Sequence, residues 1–420
     1  MTRGIQATGA NRKSISERLL LLVLAAVQFT TILDFLIVMP LGPQYMRVFA
    51  IRPGQFGLVV SVYAISAGIS GVTVGFVLDR FDRKLALLGL YSGFVLGTLF
   101  CALAPSYHML VLARAAAGAF GGVAAALILA IIGDIIPEER RGAAMGMVMS
   151  SFSLASICGV PLGLYLATRL SWHVPFLALA ALSAAILLGA ALIMPSLRGH
   201  LHHDRDRHPW ERMLEVLLHA DHRKAFLFMA ALSCTGFLIF PHLSNYMVAN
   251  VGLTEGQLPL IYLSGGLCTL FSMNWIGRWA DRAGKLRVFT LMSLAAVIPI
   301  LTLANLHRVP LPAAIATSTV FMICMSGRFV PAMAMMTASI EARYRGGFMS
   351  INSSVQQFAS GTAAYVSGHI MGLSPTGEIT HFWVVGLLTV AFALASIYLA
   401  GFLKMPTDKD AVVQPLLAQV

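Results

Sequence analysis

The 420-residue chain is 58% apolar and only 11% charged, with a mean hydropathy of +0.79. Globular chains hold about 25% charged residues, so this composition excludes a water-soluble fold and indicates a polytopic membrane protein. The formal net charge of +11 comes with no basic stretch interleaved with aromatics, which argues against nucleic acid as a partner and leaves the placement of charge by side as the informative quantity.

The chain opens with Arg3, Arg12, Lys13 and Arg18 before LLLLVLAAVQF, a pattern shared with signal peptides. Its apolar run continues past Gln28 to Pro40, too long for a cleaved segment, so an uncleaved first helix is expected. Apolar segments bounded by charge, Pro or Gly then follow at about 18–43, 54–78, 85–104, 108–133, 142–168, 172–194, 223–249, 257–280, 286–306, 311–338, 346–371 and 380–403. With the N-terminus in the cytoplasm, 23 Lys and Arg fall in cytoplasmic segments, four fall outside (Arg47, Arg52, Arg169, Arg308) and two lie within spans, which completes the 29. The positive-inside tendency therefore sets both termini in the cytoplasm.

The longest polar stretch divides the spans six and six. The expected organisation is a cytoplasmic tail over 1–17, a six-helix bundle over 18–194, a cytoplasmic linker over 195–222, a second bundle over 223–403 and a cytoplasmic tail over 404–420. The linker histidines His200, His202, His203 and His208 sit in a charged loop without a cysteine, which explains them without a metal. Cys101, Cys158, Cys234, Cys268 and Cys324 all lie in apolar runs with no CxxC pair and read as small apolar residues.

The two halves repeat. GFVLDRFDRK (Gly75 to Lys84) follows the second span and GRWADRAGK (Gly277 to Lys285) the eighth, with Asp79 and Asp281 separated by 202 residues. Arg141-Gly142 opens the fifth span and Arg345-Gly346 the eleventh, 204 residues apart.

On these residues the chain resembles the major facilitator superfamily. Gly75, Asp79, Arg80 and Arg83 match its signature between helices two and three, and Gly277, Asp281, Arg282 and Gly284 match the second-half echo. The first copy carries Asp82 where the family pattern has Gly. Arg114 with Gly118 and Gly122, Gly159-Val-Pro161-Leu-Gly163, and TILDFLIVMPLGP resemble the motifs of the drug/proton antiporter branch, near the arabinose-efflux-permease-like proteins. The resemblance implies an all-α fold of 12 transmembrane helices in two pseudo-symmetric six-helix bundles, gating at the signature loops, and a monomer in the bacterial cytoplasmic (inner) membrane.

Physics gives these motifs separate content. Asp79 stands at the C-terminus of its own helix, where a negative charge opposes the dipole, so it is expected to seek the start of the eleventh span or else to be a solvated loop charge. Gly159 and Gly163 flank Pro161, giving either a kinked directional element or a plain packing face.

Of the 18 acidic residues, Asp34 alone lies well inside a span. A carboxylate at bilayer depth costs about 2.5–3.5 kcal/mol on the lenient insertion scale, which makes it a functional candidate. Asp34 lies six residues before Pro40 and Arg114 six residues after His108, so both sit roughly 9 Å inside the external face. Two readings stand: Asp34 carries protons under the control of Arg114, or the two form a static ion pair. Arg328, near mid-membrane, has no intramembrane carboxylate in its own half; it could reach Asp34, bind backbone carbonyls or meet the substrate. With Asp34 and Arg114 it gives the cavity a formal +1, favouring neutral or anionic solutes. Gln28, Tyr63, His242, Asn245, Asn274, Gln356 and Tyr365 are candidate cavity residues or helix contacts.

HExxH, GxSxG and the Walker lysine motif are absent, so an enzyme is not expected and no cofactor is expected beyond a proton gradient. The expected function is proton-coupled efflux of a small organic solute, such as a drug or sugar, by alternating access. The alternatives are proton-coupled or facilitated uptake of a sugar or organic anion and, remotely, a non-transporting receptor.

Overall fold

A hydrocarbon layer offers no water to backbone N–H and C=O groups, so a spanning segment has to satisfy them within itself, and the chain does so with helices. The computed structural model describes residues 17–78, 81–197, 209–341 and 344–403. The first half contains α1 (Glu17–Ile37), α2 (Gly42–Val48), α3 (Pro53–Leu78), α4 (Arg83–Ala102), α5 (Tyr107–Ile135), α6 (Glu138–Leu154), α7 (Val160–Arg169) and α8 (His173–Ile193). After α9 (Pro209–Leu218) come α10 (Ala220–Phe237), α11 (Leu243–Ala249), α12 (Leu258–Ala283), α13 (Lys285–Ala304), α14 (Leu311–Ala338), α15 (Arg345–Ile370) and α16 (Phe382–Ala400). A short antiparallel pair, β1 (Gly372–Leu373) and β2 (Ile379–Thr380), precedes α16.

Among the described residues, 11 segments are long and apolar enough to cross a membrane. The remaining expected span, α15, is long enough at 26 residues but carries Asn352, Ser353, Ser354, Gln356, Gln357 and Ser360. Asn352, Ser354 and Ser360 are buried, so this polar helix is shielded by protein. The outer faces are apolar: Leu192, Phe271 and Ile298 are 78%, 72% and 73% exposed, which suits lipid and not water. The fold is therefore an all-α membrane fold of two pseudo-symmetric six-helix bundles.

Two spans are broken where proline removes a backbone donor. The first stops at Ile37 and resumes as α2 beyond Pro40; the seventh stops at Phe237 and resumes as α11 after the 3₁₀ turn Phe240–His242, which contains Pro241. Phe35 and Phe237, 202 residues apart like the signature aspartates, meet with ring centroids 5.6 Å apart. The internal repeat thus brings equivalent residues of the two halves onto each other.

The halves join mainly through α3 against α15 and through the fifth span against α12. A Cβ on Gly57 would lie 2.6 Å from the Ala364 carbonyl oxygen and one on Gly368 2.8 Å from that of Pro53, so only hydrogen at both positions permits this approach. At the end opposite the termini, one continuous core draws Ile37, Tyr45, Phe56 and Trp172 from the first half and Leu243, Tyr246, Ile300 and Phe382 from the second. Arg47 also pairs with Glu255 across the halves there. At the termini end the cores are separate. Leu24, Tyr91, Phe94 and Ile131 belong to the first, and Phe228, Phe289, Met335 and Phe348 to the second, against which Val72 of α3 also packs. The halves are fused at one end and largely independent at the other.

The signature loop of the first half is fastened at that independent end. Asp82 caps α4 by accepting from the Lys84 amide at 2.9 Å, and it also accepts from the Leu197 amide at 2.9 Å and the Ser196 hydroxyl. Its φ of −54° is open to any residue, so glycine is not needed, and the carboxylate ties the second-to-third loop to the end of the sixth span. Arg83 is buried and pairs with Asp134 at 2.9 Å. Asp79, Arg80, the surroundings of Gly75, the linker histidines and the terminal tails lie outside the described residues and side chains.

The close approach of α3 to α15 is testable by overpacking. Gly57→Val should lower unfolding stability by about 1–3 kcal/mol, whereas Gly89→Val, at a helical glycine with open space around it, should not. Equal thermal unfolding midpoints for the two purified variants would refute the contact.

Candidate functional site

Asp34 and Arg114 are both fully buried, and they are in contact. Nη1 of Arg114 donates to Oδ2 of Asp34 at 2.6 Å and to the Asp34 backbone oxygen at 3.2 Å. Thr98 on α4 donates its hydroxyl to Oδ1 at 3.2 Å. The guanidinium lies 4.3 Å above the centroid of the Tyr63 ring on α3, a cation–π contact in a dry setting. Four helices, α1, α3, α4 and α5, thus converge on one ion pair. Removing two charges from water is costly, and replacing such a pair with apolar groups is often neutral or stabilising, so packing gives no reason to retain it.

The Gly-Pro segment of the fifth span lies directly alongside. A Cβ on Gly159 would come within 2.7 Å of Leu33 Cδ1, and one on Gly163 would overlap Ile37, so the two glycines let α7 approach α1 on both sides of Asp34 along the chain. Pro161 is preceded by a π-helical turn, Ala155–Gly159, which takes up the backbone irregularity that proline imposes on the residues before it. The two glycines and the proline therefore serve both as a packing face and as a local irregularity in an otherwise continuous helix.

Arg328 on α14 is fully buried and does not pair with Asp34 or with a carbonyl. Nη2 donates to the Thr235 hydroxyl on α10 and contacts the Met325 sulfur at 2.8 Å, while Nε and Nη1 are buried without a partner. The residue 202 positions after Asp34 is Gly236, so the repeat supplies no carboxylate to this half.

The other expected cavity residues are dispersed. Gln28 is buried on α1 with Oε1 unpartnered, and Gln356 is half-buried on α15. His242 and Asn245 lie in the seal at the end opposite the termini and not in an open cavity. His242 sits edge-on to Phe56 with Nε2 3.4 Å from the Ala364 oxygen, and the Asn245 side chain is pressed against Gly42 of the other half. Tyr365 is 41% exposed and packs on His369, so it is peripheral because the α15 face bearing Ala364 and Gly368 is the one turned to α3. At the second signature loop, Asp281 and Arg282 are exposed, and Gly284 takes φ +92° between α12 and α13, a turn that calls for glycine. The Cβ position of Gly277 is in ordinary contact with Val330.

Thr98, the Phe35–Phe237 contact and the Thr235 partner were not anticipated. The second had a signal: Phe35-Leu-Ile and Phe237-Leu-Ile recur at the repeat offset, each just before a proline. Isolated hydroxyls such as Thr98 and Thr235 carry no pattern.

Breaking the buried pair should destabilise more than removing it. Arg114→Met, which strands the carboxylate, should cost about 3–5 kcal/mol, and Asp34→Leu combined with Arg114→Met should cost less. Strictly additive costs in unfolding measurements on the two single variants and the double would contradict a direct pair.

The comparisons with known proteins agree with this architecture. The profile of the Major Facilitator Superfamily matches residues 24–240 and 225–416. The chain is similar to the Bacillus subtilis uncharacterized MFS-type transporter YwfA, 28% identical over 394 residues covering 91% of this chain and 92% of that one. It is also similar to the Escherichia coli putative transporter AraJ, 26% identical over 381 residues covering 86% and 89%. Among solved structures, a D-xylose-proton symporter superposes with a TM-score of 0.76 at 16% identity over 92% of this chain and 98% of that one. An inward-facing, unoccupied bacterial homologue of the human lysosomal transporter Spinster superposes with a TM-score of 0.69 at 14% identity over 91% and 97%. Two six-helix bundles, a buried charge pair and a profile match spanning nearly the whole sequence have one common reading: the chain belongs to the major facilitator superfamily of membrane transporters.

Proposed function

We propose that the chain is a proton-coupled exporter, exchanging a small organic solute for protons by alternating access as a monomer in the bacterial cytoplasmic membrane. The observation that carries this is the Asp34–Arg114 pair: a carboxylate fully buried in a spanning helix, with one cation and one hydroxyl as side-chain partners. Protonating Asp34 cancels the attraction and leaves Arg114 buried without a counter-ion, so proton uptake favours a rearrangement of α1 and α5 that gives the guanidinium another partner.

The geometry supports a linked movement. Asp34 is one residue from Phe35, which touches Phe237 of the other half, and it is held beside the glycines of the fifth span. A shift of α1 therefore acts on the contact between bundles. With the termini placed in the cytoplasm by the charge bias, the fused end faces outward and the separate cores face the cytoplasm. The arrangement then corresponds to a carrier closed to the outside, ready to receive solute from within.

The same pair would serve proton-driven uptake, and the sign of the proton movement distinguishes the two directions. In acid-inside everted vesicles, a transported member of a panel of sugars, amphenicols and organic acids should raise lumenal pH with wild type and leave it unchanged with Asp34→Asn. A correctly folded Asp34→Asn variant that still releases protons on adding solute would end the proton-carrier reading; acidification in place of alkalinisation would reverse the direction.

A further inference from the structure

We propose that Arg328 and Thr235 form the anion-recognition subsite of the carrier and that its solute is an organic carboxylate with an apolar body. This rests on the reading of the chain as a solute transporter but not on proton coupling or on the direction of transport.

Arg114 has Asp34; Arg328 has no carboxylate, and the repeat places Gly236 where a second aspartate would stand. The remaining acids of the second half, Glu255, Asp281, Glu341 and Glu378, lie at or beyond helix ends. Arg328 is nevertheless 1% exposed, and its Nε and Nη1 have no hydrogen-bond partner among the described residues. Arginine does not escape the cost of burial by losing its proton, because its guanidinium stays charged under all ordinary conditions. A buried, permanently charged cation with unused donors calls for an anion, and none of the described residues of its half provides one.

The surroundings specify the kind of anion. Thr235 holds Nη2 and fixes the plane of the guanidinium, leaving two N–H-bearing nitrogens to donate charge-assisted hydrogen bonds to carboxylate oxygens. The group is covered by Met325, whose flexible thioether contacts Nη2 and can swing aside as a ligand enters. Cys324, Met322 and Phe321 on the same helix belong to the apolar core between the halves, so the rest of the ligand meets apolar surface. A small hydrated inorganic anion would find little to replace its water there, whereas an apolar carboxylate loses little by leaving water.

The test is equilibrium binding, read as a shift in the thermal unfolding midpoint of the full chain in lipid nanodiscs. Aliphatic and aromatic monocarboxylates from butyrate to benzoate and decanoate are each compared with the corresponding amide, and sodium chloride at equal ionic strength reports a simple inorganic anion. At least one carboxylate should stabilise wild type while its amide and chloride do not. Arg328→Gln should abolish that shift, and Arg328→Lys, which keeps the charge but loses the fork, should weaken binding by about tenfold or more. Thr235→Val, which keeps the arginine, should weaken it less and serves as the second variant if Arg328→Gln does not fold. The proposal is overturned if no carboxylate acts, if chloride or the amides act equally, or if the shift survives in Arg328→Gln or is unchanged in Thr235→Val. Asp34→Asn should still bind the carboxylate, so loss of proton exchange in that variant with binding intact separates this subsite from the coupling reading.

Discussion

An ion pair without solvent organises the first half of this transporter. Asp34 and Arg114 are each too costly to bury alone, and together they recruit Thr98 and Tyr63, so that α1, α3, α4 and α5 are placed by one electrostatic constraint. The Gly159 and Gly163 positions follow from it: α1 can hold the carboxylate at this depth only if the fifth span presents no side chains where Leu33 and Ile37 pass. The proposed proton coupling rests on the same constraint, because a group whose charge determines where its neighbours sit will move them if its charge changes.

The two halves are related in sequence but not in charge. The proline breaks, the Phe35–Phe237 contact and the signature loops repeat, which gives the halves a common architecture and a shared hinge region. Among the described residues, a carboxylate buried inside a spanning helix occurs once, at Asp34. The first half therefore carries a neutral pair and the second an arginine without a described carboxylate partner, an asymmetry that matches the proposed division into a proton site and a solute site. The fused core at one end and the separate cores at the other correspond to one closed end in the alternating access proposed for this frame.

Much of the fold was legible because a bilayer leaves few options. Apolar runs interrupted by charge defined the helices to within a few residues, and α15 was recognisable as a span even though its serines, asparagine and glutamines set it below the other helices in hydropathy. Equal depth made an Asp34–Arg114 pairing, direct or through water, geometrically possible, and the two side chains are in direct contact. What could not be read was rotation about each helix axis. His242, Asn245 and Tyr365 were plausible cavity residues from depth alone, yet they face the seal or the periphery, and Thr98 and Thr235 became visible only once the helices were assembled. Asp82 was read as a departure from the family pattern, whereas in three dimensions its carboxylate caps α4 and binds the end of the sixth span.

The central claim is that Asp34 changes its protonation as the carrier works. Infrared difference spectroscopy on the reconstituted protein, recorded across the pH range in which it transports, reads this directly. The account predicts a protonated-carboxyl C=O band that appears as pH falls and is missing from Asp34→Asn. A spectrum with no Asp34-dependent band anywhere in that range would contradict it and leave the pair as a fixed structural tie.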